Sequence, residues 1–475
     1  MTNHNHLMLC AALLLATAVA GAAARGSARA PFGAPGDGKT TFAAPPNGPV
    51  RFTGRLDRTA VLRGQDGVVR MELTIAADAT DRPRGVRRPT DLVIVLDRSG
   101  SMAGEKIERA RAATTELIRS LGGEDRFGLV TYSNDAAVAL PLTVVDERSR
   151  AAWTAAVAEI HPDGGTNMSS GLDVGLEMID QSRTASRVPR LILISDGLAN
   201  QGDSSPEGLT RRASRAAHGE YMLSTVGVGA DFNEYLMSAL ADAGTGNYYY
   251  LRDAGDLAEV FAREFDAART TVASALTVAI EPGSGVRVVD AAGYPLERTG
   301  TRTVFRPGAL FAGQNRRVWV TLEVPRHEVG EHDLGRFSVS YGEGARRATL
   351  AFAEVPRVAC VESEERFYSS VDLDAWGRSV VVDAYNKMQQ EVAREVKAGR
   401  KDEAIGKLHQ FRDLTKTMNA RLQSPEVAAQ LGSADRLEAS VAAAFEGDRQ
   451  HEKQNELSKT TNAGAVDARR VGSKK

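Results

Sequence analysis

The sequence is short of cysteine, of charge imbalance and of long apolar runs, and each shortage removes a class of function. Two cysteines in 475 residues exclude a disulfide scaffold and a cysteine-rich zinc site. The 59 Lys and Arg are met by 61 Asp and Glu, a formal charge of −2, too even for a chain-wide nucleic-acid footprint. The 45 glycines carry no Gly-X-Y period, which removes collagen. There is no Walker loop and no G-x-S-x-G elbow. His327 and His332 superficially suggest a zinc-protease helix, but that motif needs histidines four apart; these are five apart with Gly330 between them. What is left, at 42% hydrophobic and 25% charged, is a multi-domain globular chain long enough for a large core.

One apolar run does stand out. Leu7 to Ala20, followed by small residues through Ala24 and then Arg25, has the h-region and small-residue cleavage site of a secretory signal. Its n-region, MTNHNH, departs from the usual pattern in carrying no Lys or Arg. The expectation is a signal peptide at 1–24, cleaved after Ala20 or Ala24, and an exported product in the periplasm, at the cell surface or in the medium. Cleavage leaves Cys360 alone, expected as a small buried hydrophobe. No later run reaches 18 apolar residues, so no transmembrane segment is expected once the signal is removed.

Residues 25–48, rich in Gly, Pro, Ala and Ser, read as a flexible linker. Alternation at Val69, Met71, Leu73 and Ile75 predicts strands over 49–88. From 89 to 268 apolar strands such as Leu92–Leu96 and Leu191–Ile194 alternate with helices; Ile107, Ala110, Thr114, Leu117 and Ile118 share one helical face. That spacing predicts a doubly wound, mainly parallel α/β sheet. Strands punctuated by turns over 269–357 predict a β-sandwich, which the strands at 49–88 are expected to join, making the α/β domain an insertion. A helical hairpin or bundle is expected over 358–455, with a disordered tail at 456–475.

The chemistry sits in the loops of the α/β block. Strand Leu92–Leu96 runs into Asp97-Arg98-Ser99-Gly100-Ser101; strand Leu191–Ile194 runs into Ser195-Asp196-Gly197; between them lies Gly165-Thr166-Asn167. Such loops leave the carboxyl ends of parallel strands, where doubly wound sheets bind ligands. Asp97, Ser99, Ser101, Thr166 and Asp196 offer only hard oxygens, which favours Mg²⁺, with Mn²⁺ or Ca²⁺ possible, over zinc or copper. Two carboxylates and three hydroxyls would leave such an ion one position open to an incoming Asp or Glu.

These five residues, in this order, resemble the metal-ion-dependent adhesion site of the von Willebrand factor type A (VWA) domain, whose motif is D-x-S-x-S, then a Thr, then an Asp. The resemblance covers 89–268 and implies direct coordination by Ser99, Ser101 and often Thr166, with Asp97 and Asp196 binding directly or through water. The wider layout resembles secreted bacterial VWA proteins and, more loosely, inter-alpha-trypsin inhibitor heavy chains and calcium-activated chloride channel regulators, without the zinc motif of the last group.

Three functions follow. The first is a non-enzymatic, metal-dependent binding module for a protein that presents a carboxylate. The second is an envelope structural or assembly component in which the metal only stabilises. The third, a metal-assisted hydrolase, would have to use His161 or Asp163 as its base. Asn167-Met168-Ser169 matches a glycosylation sequon but begins a helix, and its use is not expected. Expression with the native leader should give an exported chain that begins at Gly21 or Arg25, read by intact mass; retention of Met1 would remove the export reading.

Overall fold

The computed structural model describes residues 39–469 apart from 66, 79–88, 185, 230–231, 252–253 and 344–345. The expected signal peptide and the first part of the expected linker lie outside the described residues. The chain opens on β1 (Thr41–Ala43), β2 (Val50–Leu56), β3 (Ala60–Leu62) and β4 (Val68–Ala77). An α/β block follows as β5 (Thr90–Asp97), α1 (Glu105–Ser120), β6 (Arg126–Tyr132), β7 (Ala136–Val144), α2 (Glu147–Ala158) and α3 (Met168–Ser182). It continues through β8 (Val188–Ser195), α4 (Pro206–His218), β9 (Met222–Val228), α5 (Glu234–Ala243), β10 (Thr245–Leu251) and α6 (Leu257–Arg269).

Strands then resume as β11 (Thr271–Glu281), β12 (Arg287–Ala291), β13 (Glu297–Thr299), β14 (Arg302–Phe311) and β15 (Asn315–Glu323). They end with β16 (Gly330–Asp333), β17 (Arg336–Glu343), β18 (Arg346–Ala351) and β19 (Arg357–Val361). Helices close the chain: α7 (Glu364–Ser369), α8 (Leu373–Arg378), α9 (Tyr385–Lys397), α10 (Lys401–Leu422), α11 (Pro425–Ala444) and α12 (Gln450–Arg469).

The central sheet has the order β10-β9-β8-β5-β6-β7, parallel throughout except for the antiparallel edge strand β7. Every residue of β5 is buried. Strand alternation sends Leu92, Ile94 and Leu96 to a face covered by α1 and α6, and Val93 and Val95 to a face covered by α3, α4 and α5. Burying each such aliphatic side chain contributes about 1.5–3 kcal/mol. Helix α3 comes very close to β5 because two of its turns carry glycine. A Cβ on Gly175 would stand 2.4 Å from Val95 Cγ2, and one on Gly171 2.7 Å from the Tyr132 ring.

The sandwich pairs sheet β1-β2-β4-β15-β12 with sheet β13-β14-β11-β17-β18 over a single core that includes Phe52, Leu73, Val320, Val278, Phe305 and Val339. Its strands come from both sides of the α/β block: β4 pairs antiparallel with β15, Val69 opposite Leu322 and Ile75 opposite Arg316, and β3 runs parallel to β19. Cys360 lies in this core, and burial pushes its thiol pKa up.

Three boundaries differ from the sequence expectations. The expected linker through 48 already contains β1, paired with β2, because Phe42 is buried and stacks on Phe352. Strand β19 occupies the start of the expected helical region, closing the β16-β19-β3 sheet. The expected disordered tail is helical through Arg469. It looks polar because Ser458, Lys459, Thr461 and Asn462 are buried, the Ser458 hydroxyl donating to Glu234 and the Lys459 ammonium to the Phe232 carbonyl of the α/β block.

Replacing Gly175 with Ala should lower stability by about 1–3 kcal/mol through forced overpacking, measured by urea unfolding. Adding Val95→Ala should recover part of that loss, and an unchanged midpoint for Gly175→Ala would show that the close approach is not required.

Candidate functional site

Strands β5 and β8 lie side by side in register, Leu96 opposite Ile194, so the loops that follow them leave the same edge of the sheet together. Asp97 and Asp196 are both fully buried there, and Ser99 and Thr166 are nearly so. The structure brings Asp97, Ser99, Ser101 and Asp196 into one hydrogen-bonded chain. Asp97 Oδ1 accepts from the Ser99 backbone N–H at 2.8 Å. Ser99 Oγ lies 3.0 Å from Ser101 Oγ, and the Ser101 hydroxyl donates to Asp196 Oδ1 at 2.7 Å. Gly197 ties in Thr166: a Cβ at that position would stand 3.3 Å from Ser101 Oγ and 3.7 Å from Thr166 Oγ1. The absence of a side chain at Gly197 therefore keeps open the space on which the hydroxyls converge.

Other residues hold this arrangement. The Thr166 backbone N–H donates to Asn200 Oδ1 at 2.8 Å, and its carbonyl accepts from the Asn200 N–H at 3.1 Å. Asn134 Oδ1 accepts from the Gly165 N–H and from Gln201 Nε2. Asn167 caps α3 by accepting from the Ser170 N–H at 3.1 Å, and its amide nitrogen donates to the Asn134 carbonyl. The sequon amide is thus engaged within the loop.

Three partners of the carboxylates escaped sequence reasoning. The Ser195 hydroxyl donates to Asp97 Oδ2 at 2.8 Å. The Tyr132 hydroxyl, fully buried, lies 3.3 Å from the same oxygen and 3.2 Å from the Ile194 carbonyl. The Lys106 ammonium pairs with Asp196 Oδ2 and sits 3.3 Å from the Ser101 carbonyl. Lys106 did leave a signal, since it lies in the first turn of α1, where a cation opposes the helix dipole; such a residue is expected to have an anion to meet. Burial raises the Asp97 carboxyl above its ordinary pKa, against hydrogen bonds from Ser99 and Ser195 that lower it. Burial also pushes Tyr132 well up. His161 and Asp163 are exposed; the imidazole Nδ1 of His161 lies 3.1 Å from Arg111 Nη2.

The family model described as the von Willebrand factor type A domain matches residues 91–263. This chain contains a VWA domain. A solved von Willebrand factor type A protein from Catenulispora acidiphila superposes with a TM-score of 0.65 at 19% identity, covering 89% of this chain and 97% of that one. The shared fold therefore extends beyond the VWA domain to the sandwich and helices. An uncharacterised protein of Synechocystis sp. is 24% identical over 339 residues, 69% of this chain and 79% of its own length. Inter-alpha-trypsin inhibitor heavy chain H4 of Sus scrofa is 31% identical over 152 residues, 30% of this chain but 16% of the heavy chain.

The loop that follows Asp196 is pinned back to the VWA domain through Asp203. Its N–H donates to Ser169 Oγ on α3, and its carboxylate accepts from Ser205 and from Arg212 Nη1. The Ser205 hydroxyl and then the Arg212 guanidinium hold the Asp203 carboxyl down to about 2. A carboxyl depressed in the folded state adds stability above its ordinary pKa of ~3.9 and gives it up as pH falls through about 2. Carbon-detected NMR should place the Asp203 midpoint near that value, and Ser205→Ala should move it back toward the ordinary range; a midpoint near ~3.9 in the unaltered protein would show that this pin is open in solution.

Proposed function

We propose that this protein is an exported, metal-dependent binding module. A divalent cation, Mg²⁺ in the first instance and Mn²⁺ or Ca²⁺ by the same ligand chemistry, is held by Asp97, Ser99, Ser101, Thr166 and Asp196 and takes an Asp or Glu carboxylate of a protein partner. The observation that carries this reading is the hydrogen-bonded chain that joins the buried Asp97 and Asp196 through Ser99 and Ser101, with the Ser101 and Thr166 hydroxyls facing the space kept open at Gly197. All the donors are hard oxygens, the set such ions prefer. Two carboxylates are few for a fully protein-built cage, which leaves part of the coordination sphere to an incoming anion.

Residues of the VWA domain supply binding and orientation in this reading, not turnover. Ser195 and Tyr132 orient Asp97 through its outer oxygen. Lys106 meets Asp196 where the cation would sit alongside, and its flexible four-carbon stem lets the ammonium withdraw when that charge is supplied by a metal. Leu198, 56% exposed beside Gly197, gives the partner an apolar surface next to the carboxylate position. Export belongs to the proposal too, resting on the apolar run from Leu7 to Ala20.

Thermal unfolding of the protein with Mg²⁺, Mn²⁺, Ca²⁺ or EDTA tests the site directly. A ligand bound only by the folded state stabilises it by about 2.7 kcal/mol at a hundredfold excess over Kd. The expected result is a metal-dependent rise in Tm that is lost in Asp97→Asn and in Gly197→Val, the second by filling the space. No rise at millimolar metal, with or without an added peptide bearing Asp, would reject the metal reading in favour of an assembly component that works through its sandwich and helices.

A further inference from the structure

At the opposite end of β8 the VWA domain meets the sandwich around a cavity of about 380 Å³. Five basic side chains line it (Arg183, Arg187, Arg190, His218 and Arg306) against a single acidic one, Glu220, which is already paired with Arg347. Most of the basic groups have partners: Arg187 pairs with Asp91, Arg306 with Glu297, and Arg183 donates to the Gly219 carbonyl. Arg190 is different. It is 1% exposed, yet among the described residues no carboxylate lies within ion-pair distance of it. One Nη meets the Met222 thioether, the other is 3.4 Å from Thr271 Oγ1, and Nε has no hydrogen-bond partner.

The surroundings answer this charge only in part. Arg190 lies 5.4 Å from the centre of the Phe311 ring, which offers a weak attraction. Burial lowers its pKa, the field of Glu264 raises it, and the neighbouring guanidinium of Arg316 lowers it again. Arg316 is itself buried; its two Nη groups donate to the carbonyls of Pro307 and Ala309 rather than to an acid, and its Nε, like that of Arg190, has no hydrogen-bond partner. The field of the buried Glu264 reaches Arg190 without an ion pair, and a buried cation left without a paired anion is costly.

We propose that this cavity binds a small organic oxyanion, a phosphate or a carboxylate group, with Arg190 as its central donor. The planar guanidinium suits bidentate contact with either anion. The volume lies at the small-molecule end of the ~300–1,000 Å³ range of ligand pockets. The site is separate from the metal loops: Arg190 and Asp196 stand near opposite ends of β8, roughly 20 Å apart at ~3.3 Å per residue.

Calorimetric titration of the full chain with sodium phosphate and with sodium citrate, in EDTA and against sodium chloride at matched ionic strength, tests this. At least one anion should bind. Arg190→Met should weaken that binding by about tenfold or more while keeping or raising Tm, because it replaces a buried charge with an apolar side chain of similar length. Arg183→Gln, at the exposed rim, should weaken it less and carries the test if Arg190→Met does not fold. Binding of phosphate alone, or of citrate alone, supports the proposal and identifies the anion class. No heat with either anion at millimolar concentration overturns it, as does undiminished binding in the arginine variants. Asp97→Asn should leave anion binding unchanged, so failure of the metal reading and failure of this one are distinguishable.

Discussion

The structure at this edge of the central sheet depends on the cost of keeping two carboxylates, Asp97 and Asp196, out of water at the ends of adjacent parallel strands. A buried carboxylate is tolerated only when donors or cations surround it. Here Ser99, Ser195 and Tyr132 serve Asp97, while Ser101 and Lys106 serve Asp196. The register of β5 against β8 sets the two side by side. The tight approach of α3, allowed by Gly171 and Gly175, brings the Thr166 loop to the same edge. An edge that gathers this much buried negative charge calls for positive charge, and the protein's own Lys106 ammonium answers part of that demand.

The VWA domain is not an independent bead on the chain. Its two ends enter and leave through the sandwich, where β4 and β15 pair along their whole length. The terminal helices then clamp it from another side. Glu234, fully buried at the start of α5, meets Lys397 of α9 and the Ser458 hydroxyl of α12, and the Lys459 ammonium reaches the Phe232 carbonyl while lying 4.2 Å from the centre of its ring. On the sandwich side, Arg55 grips Asp372 and Arg378 grips Glu72. The pairs on the sandwich side are partly exposed and each contributes little alone, but together they tie α8 and its N-cap to β2 and β4.

Much of the architecture was legible because its signals are local. Fully apolar runs at Leu92–Leu96 and Leu191–Ile194 can only be central strands, and the Asp, Ser and Thr of the loops follow them directly. Edge strand β7 was not legible: Pro141 interrupts it, and Val138 and Val144 are exposed, so neither alternation nor an apolar run marks it. Helix α4 escaped for the opposite reason, its apolar stripe being confined to Leu209, Ala213 and Ala216 among arginines. Helix α12 does not show in the sequence because its buried face includes Ser458, Lys459, Thr461 and Asn462, and the groups that meet Ser458 and Lys459 lie more than 200 positions away.

By itself the sequence determined the alternating α/β block, the neighbouring strand-rich region and the five oxygen-bearing residues, because each rests on periodicity or on residues within a few positions of a strand end. Only the tertiary structure decided what surrounds them: Lys106 on Asp196, Tyr132 under Asp97, the polar face of α12 against Glu234, and the unpaired guanidinium of Arg190 between two domains. Those are contacts between residues tens to hundreds of positions apart, and no local pattern in a chain encodes which distant group will meet a buried charge.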